Sequence, residues 1–290
     1  MASQTKVREM IAKNNAKKGG LSDKIVPIIL AIISAISILT TIAILFTLLT
    51  ETITFFTRVP LSKFFLSGTW NPTGSSPEFG IWALIIGTLK ITVIATIVAV
   101  PIGLGAAIYL NEYASDRSRR IIKPILEILA GIPTIVFGFF ALTFVTPVLR
   151  TIIPALDSFN SVSPGIVVGI MIVPVITSMS EDAMASVPNK IREGAYGLGS
   201  TKFEVATKVV LPAAASGVVA SIVLGISRAI GETMIVSLAA GSSPTASLNL
   251  TNSIQTMTGY IVEVATGDAT FGSDMYYSIY AVGFTLFIFT

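Results

Sequence analysis

Six runs of apolar residues set the limits on what this chain can fold into. They cover residues 25–49, 81–110, 121–149, 164–180, 213–240 and 275–290. In hydrocarbon every peptide N–H and C=O must find its partner inside the protein, so such runs are read as helices. About 20 residues at 1.5 Å each cross a bilayer. The reading is therefore an all-α integral membrane protein with six transmembrane helices. A mean hydropathy of +0.81 and a charged fraction of 12% agree with it, since about a quarter of a soluble chain is charged. A secretory signal is the competing reading of the first run, but that run is too long and lacks a small-residue cleavage site. The last run has 16 residues, stops while still apolar and has no basic tail, so a chain cut short is expected.

The connections carry turn formers and charge. Residues 1–24 form a basic segment. Residues 51–80 hold Trp70, Asn71-Pro72, Gly74 and Ser75-Ser76-Pro77, with a short interfacial helix expected near 55–65. Pro101, Gly103 and Gly105 are expected to kink or thin the second helix. Of the Lys and Arg outside the span interiors, fourteen fall on the side of the N-terminus, the 111–120 connection with Lys123 just after it, and the 181–212 connection. Three fall on the other side: Arg58, Lys63 and Arg150. By the positive-inside rule the N-terminus is cytoplasmic and residues 241–274 are outside.

Several chemistries drop out. There is no cysteine and no histidine, which removes disulfides, thiolate sites and the commonest general base. Carboxylates are not clustered as a metal cage. No Gly-x-x-x-x-Gly-Lys-Ser/Thr loop occurs, so the chain is not expected to hydrolyse ATP or to hold a cofactor of its own. A net charge of +3 gives no surface for nucleic acid, and the expected surroundings are lipid.

The connection 181–212 is the most informative stretch. Glu193-x-Ala195, three residues, Gly199, nine residues, then Val209-x-Leu211-Pro212 resembles the EAA loop of ABC importer permeases. Gly194 and Val209 stand where that pattern has Ala and Ile. The resemblance implies the type I importer fold. It also implies that Glu193, Gly194, Ala195, Gly199, Leu211 and Pro212 couple the chain to a separate ATPase. Small residues here let another backbone approach. The bland alternative is an ordinary loop between two spans.

A second stretch, Gly225-Ile226-Ser227-Arg228-Ala229-Ile230-Gly231-Glu232-Thr233-Met234, is similar to phosphate permeases of the Pst system, most like PstC. Leu129 to Gly138 is similar to the same group, and the likeness extends from about residue 81 to 241. It implies a subunit of an ATP-driven phosphate importer in the inner membrane of a prokaryote. Its implied partners are a PstA-like second permease, a PstB-like ATPase dimer that uses the ATP, and a PstS-like phosphate-binding protein. A PstA-type role, or another oxyanion such as molybdate or phosphonate, stays open. A secondary transporter would need inverted repeats, and none is visible.

Four charges lie inside apolar runs: Lys90, Glu127, Arg228 and Glu232. Each costs about 2.5–3.5 kcal/mol at a helix centre, so function is the default reading. Arg228 and Glu232 are spaced i,i+4 and would share a face. They either neutralise one another or handle substrate, with the guanidinium as an oxyanion fork that Glu232 steadies. Ser221 and Thr233 are candidates beside them for the translocation path. Gly217, Ser221, Gly225 and Ala229 recur every four residues, for close packing or for a narrow polar path. Lys90 is either a pathway residue or the buried partner of a carboxylate. Glu127 is expected to reach water or a loop donor.

Overall fold

The computed structural model describes residues 21–290 except Ser75 and Asp268. The basic segment 1–24 thus lies, as far as residue 20, outside the described residues. Two compact units divide the chain, Met1–Glu51 and Thr52–Thr290. Helix α1 (Leu21–Arg58) fills the described part of the first unit and continues into the second. Its side chains from Ile25 to Thr47 are exposed and apolar on every side, as in a helix that meets lipid. α1 runs past the expected end at residue 49, and its threonines there return their hydroxyls to the backbone. Thr47 donates to Ala43 O at 3.0 Å, Thr50 to Thr47 O at 3.0 Å and Thr57 to Thr54 O at 2.7 Å. A hydroxyl bonded in this way no longer needs water.

In the second unit a break at Val59-Pro60 separates α1 from α2 (Leu61–Leu66). The single interfacial helix expected near 55–65 is therefore split. Strands β1 (Trp70–Asn71) and β2 (Glu78–Phe79) pair antiparallel, with Trp70 opposite Phe79. Phe55, Phe64, Trp70, Phe79 and Tyr260 meet edge to face, with Trp70 and Tyr260 centroids 4.8 Å apart. These rings form one buried cluster with Val59, Ile81, Leu84 and Met257.

α3 (Trp82–Ile108) runs on through a π-helical turn, Tyr109–Tyr113. It lies along α7 (Val162–Ala185), and glycines set the separation. A Cβ on Gly103 would sit 2.9 Å from Ile176, and one on Gly169 2.8 Å from Val98. α11 (Ala215–Ile230) also packs on α7. There a Cβ on Gly217 would come within 2.5 Å of Ala183, the Ser221 and Ser180 hydroxyls are 2.7 Å apart, and Gly225 faces Ile176. The four-residue repeat is thus a packing face rather than a polar path. Ile91, Ala95, Val168, Met171, Ile172 and Ala229 fill the core between these helices.

Two of the expected spans are interrupted. The run 121–149 becomes α4 (Asp116–Gly131), α5 (Thr134–Phe140), a π turn at Ala141–Val145, and α6 (Thr146–Ile152). Ile132 takes φ −68°, ψ 128°, because Pro133 pushes the preceding residue out of the helical region. α4 is amphipathic, buries no residue fully, and is N-capped by Ser115. Much of the loop expected at 111–120 is therefore helical. The run 213–240 breaks at Ala214 and again at Gly231–Thr233, before α12 (Met234–Ala239). α13 (Met257–Thr266) forms inside the polar stretch 241–274, and α14 (Asp274–Phe289) follows. Among the described residues four helices are long and apolar enough to cross a membrane. The bent pair Lys202–Ala213 and Ala215–Ile230, meeting at 75°, makes a fifth if it counts as one span.

Gly217→Val should lower stability in detergent by about 1–3 kcal/mol, the usual cost of overpacking. Gly194→Ala should be neutral or gain up to about 1 kcal/mol, because among the described residues nothing lies within 4 Å of the added methyl. Thermal unfolding of the purified chain tests both.

Candidate functional site

α7 continues past residue 180, so Glu181 and Asp182 are helical and the connection begins only at Ser186. α8 (Asn189–Gly197) follows Pro188 and has no fully buried residue. Its C-terminus is a Schellman motif: Gly199 N–H donates to Tyr196 O at 2.9 Å and Ser200 N–H to Ala195 O at 3.1 Å. Gly199 has φ +86°, which an L side chain rarely adopts. Among the described residues no atom lies within 4 Å of its missing Cβ, so among them the glycine is fixed by the turn and not by a close approach. Ala195 is half-buried and packs, with Leu211, on the cluster of Met184, Val187, Val205, Val210 and Val218. Glu193, Gly194 and Pro212 are exposed. So are Ile191, Tyr196, Phe203 and Leu198, the last at 90%.

The chain then turns into α9 (Lys202–Glu204), a π-helical stretch at Val205–Val210, and α10 (Leu211–Ala213). Thr201 and Glu204 form a capping box, and Lys208 Nζ lies 3.0 Å from Glu204 Oε1. Thr-x-x-Glu at 201–204 is a signature legible in sequence. The expected helix start at residue 213 is moved to 215 by the 75° bend at Ala214.

Polar contacts that sequence reasoning missed surround the root of α8. Arg192 reaches Glu112 and Asn111 on the π turn that ends α3, and main-chain carbonyls at the end of α7. Arg119 of α4 donates to Leu110 O and Asn111 O, both at 2.9 Å. Lys123 pairs with Glu181 at 2.9 Å. Arg119, Lys123 and Arg192 had counted only as loop charge; the partners of Lys123 and Arg192 stand some 60 to 80 positions away in sequence, and those of Arg119 are main-chain carbonyls eight and nine positions back.

The charges inside the spans are placed differently from expectation. α11 ends at Ile230, so Arg228 and Glu232 do not share a helical face. Among the described residues no ion pair joins them. Glu232 is buried, and its Oε1 accepts from Met234 N–H at 3.0 Å and Ile235 N–H at 3.1 Å. The carboxylate starts α12, where an N-terminal negative charge is favoured. Its main-chain carbonyl accepts from Thr258 Oγ1 at 2.7 Å. Glu232 therefore does not steady a guanidinium fork. Thr233 bonds Gly231 O, and Ser221 is spent in the helix contact. Lys90 is buried and donates to Asn249 O at 2.7 Å, a main-chain partner rather than a carboxylate. Glu127 is exposed on α4. Arg228 is exposed as well, beside Val219, Val223 and Leu224. No hydrogen bond or ion pair holds it among the described residues. Of the residues expected to handle substrate, only this one presents a free charge.

The geometry has counterparts in known proteins. The family profile described as "Binding-protein-dependent transport system inner membrane component" matches residues 99–290. A probable ABC transporter permease protein, YqgH, of Bacillus subtilis is 34% identical over 226 residues, 78% of this chain and 73% of that protein. The phosphate transport system permease protein PstC of Xylella fastidiosa is 34% identical over 248 residues, 79% of this chain and 75% of that protein. A chain of the MetNI methionine ABC transporter in inward-facing conformations superposes with a TM-score of 0.51 at 17% identity, covering 72% of this chain and 88% of that one. The fold is the type I ABC importer permease fold.

Glu232→Ala should cost about 1–2 kcal/mol, as loss of a helix cap does, whereas Arg228→Gln should leave the unfolding temperature unchanged. Thermal unfolding followed by circular dichroism separates the two. Equal losses would mean that the two side chains are paired after all.

Proposed function

Since this chain belongs to the family of binding-protein-dependent transport system inner membrane components, we propose that it is the PstC-type permease subunit of a phosphate importer. The observation carrying the substrate assignment is the free guanidinium of Arg228 on an otherwise apolar helix face. Left against lipid it would cost about 2.5–3.5 kcal/mol. Facing a second permease across a water-filled path, it offers a planar fork of donors that suits a phosphate oxyanion. The names of relatives such as the Xylella fastidiosa protein support phosphate over other oxyanions. One exposed arginine, without a closed cage, holds the anion weakly enough to let it pass. Thr233 and the buried Lys90 lie outside direct contact with substrate in this reading; Lys90 orders the loop at Asn249.

α8 and its exposed apolar side chains are the docking element for a separate ATPase dimer, which carries the ATP site. A phosphate-binding protein delivers substrate on the opposite face. The N-terminus is cytoplasmic in an inner membrane, as the distribution of Lys and Arg argues. ATP-driven closure of the ATPases displaces α8 and reorients the helices behind it.

The complex reconstituted in liposomes tests the reading. Arg228→Gln should assemble normally and lose roughly tenfold or more of its phosphate uptake, in line with a charge-assisted hydrogen bond of about 1.5–3 kcal/mol. Arg228→Lys should recover only part of it. The double variant Arg228→Gln, Glu232→Gln should stay impaired, because no ion pair links the two. Wild-type uptake by the assembled Arg228→Gln complex would refute the substrate assignment. For topology, Ser247→Cys in this cysteine-free chain should be labelled by an impermeant maleimide in intact cells. Labelling only after lysis would invert the orientation.

A further inference from the structure

Arg192 lies one position before the first residue of the EAA-like motif and is not part of it. Its guanidinium has five N–H groups, and five acceptors surround it. Nε donates to Glu112 Oε1 at 3.1 Å. Nη1 donates to Val187 O and to Asn189 Oδ1 at 3.1 Å. Nη2 donates to Asn111 Oδ1 at 3.1 Å and to Met184 O at 2.7 Å. The Arg192 side chain is 14% exposed and that of Glu112 6%. Three pieces of chain therefore meet on one side chain: α8, the π turn ending α3, and the end of α7.

Among the described residues the other hold on α8 is its packing on the π-helical stretch Val205–Val210. None of its residues is fully buried, and Ala195 is its apolar contact with the neighbouring cluster. The π turn is gripped from the other side by Arg119, while Asn111 Nδ2 reaches Glu181 O at 3.4 Å and Lys123 pairs with Glu181. A π-helical turn is an uncommon conformation that recurs at functional places. Here it supplies both side-chain acceptors that Arg192 draws from α3.

We propose that Arg192 is a positioning residue that locks the docking helix to the ends of α3 and α7, so that the three move as one piece. It acts through Glu112 and Asn111 and touches neither substrate nor ATP. The inference rests on the reading of α8 as the ATPase docking element. A lysine is a point charge with three donors and cannot span acceptors from three segments. With the lock loosened, α8 follows the ATPase while α3 and α7 lag behind.

The test uses the assembled transporter in liposomes with its ATPase and binding protein. Arg192→Lys and Glu112→Gln should retain the ATPase on co-purification and still hydrolyse ATP. Phosphate moved per ATP should fall at least about fivefold, the lower end of ordinary coupling between sites. Next, Glu112→Cys and Arg192→Cys are combined in the cysteine-free chain and bridged with a short bismaleimide. The bridged complex should regain the wild-type ratio within about twofold, while the unbridged one should not; a residue needed only for folding gives no such difference. A wild-type ratio for Arg192→Lys overturns the inference, and so does a bridge that restores nothing. If Arg192→Lys fails to assemble, the bridged pair decides alone. Absence of the ATPase from the wild-type complex would sink the docking reading instead.

Discussion

Every interruption of a helix in this chain has to bring its own hydrogen-bond partners. An unsatisfied peptide group in hydrocarbon costs several kcal/mol, and most of these interruptions lie within apolar runs. Two use proline: Pro133 and Pro212 have no N–H to strand. A third uses a carboxylate, with Glu232 accepting two N–H groups at the start of α12. Inside the unbroken α1, Thr50 and Thr57 return their hydroxyls to the helix itself. Once these breaks are placed, the bend at Ala214, the position of α8 and the exposure of Arg228 follow from chain geometry.

The remaining cohesion comes from small residues. Lipid offers apolar side chains no reason to leave it, so helices in a membrane hold together through close contact and polar pairs. α7 illustrates both. Glycines on α3 and α11 bring their backbones up to it, and Ser180 meets Ser221 in an otherwise apolar seam. A methyl group on Gly217 or Gly169 would stand closer to its neighbour than atoms allow.

What sequence alone could reveal follows from how local each signal is. The apolar runs and the spacing from Glu193 to Pro212 are local, so the helical fold and the family were legible. The i,i+4 spacing of Arg228 and Glu232 was legible too, but misleading. Gly231 ends the helix between them, and helix propensity says little about one residue whose neighbours are apolar. The π turns were invisible, because Tyr109–Tyr113 and Val205–Val210 carry no residue pattern that separates them from α-helix. Arg192 was read as one more positive charge, since Asn111 and Glu112 stand some 80 positions away and only the fold brings them near.

The cap at Gly199 also bears on how the subunit lives before it meets a partner. By reversing the chain just after α8, it leaves Leu198 at 90% exposure on the rim of the turn, with Phe203 and Tyr196 close by in sequence. An apolar knob held in water by a rigid turn cannot retreat into its own protein. An exposed apolar patch held in this way favours association with another surface, and the turn keeps it on offer whether or not such a surface is present.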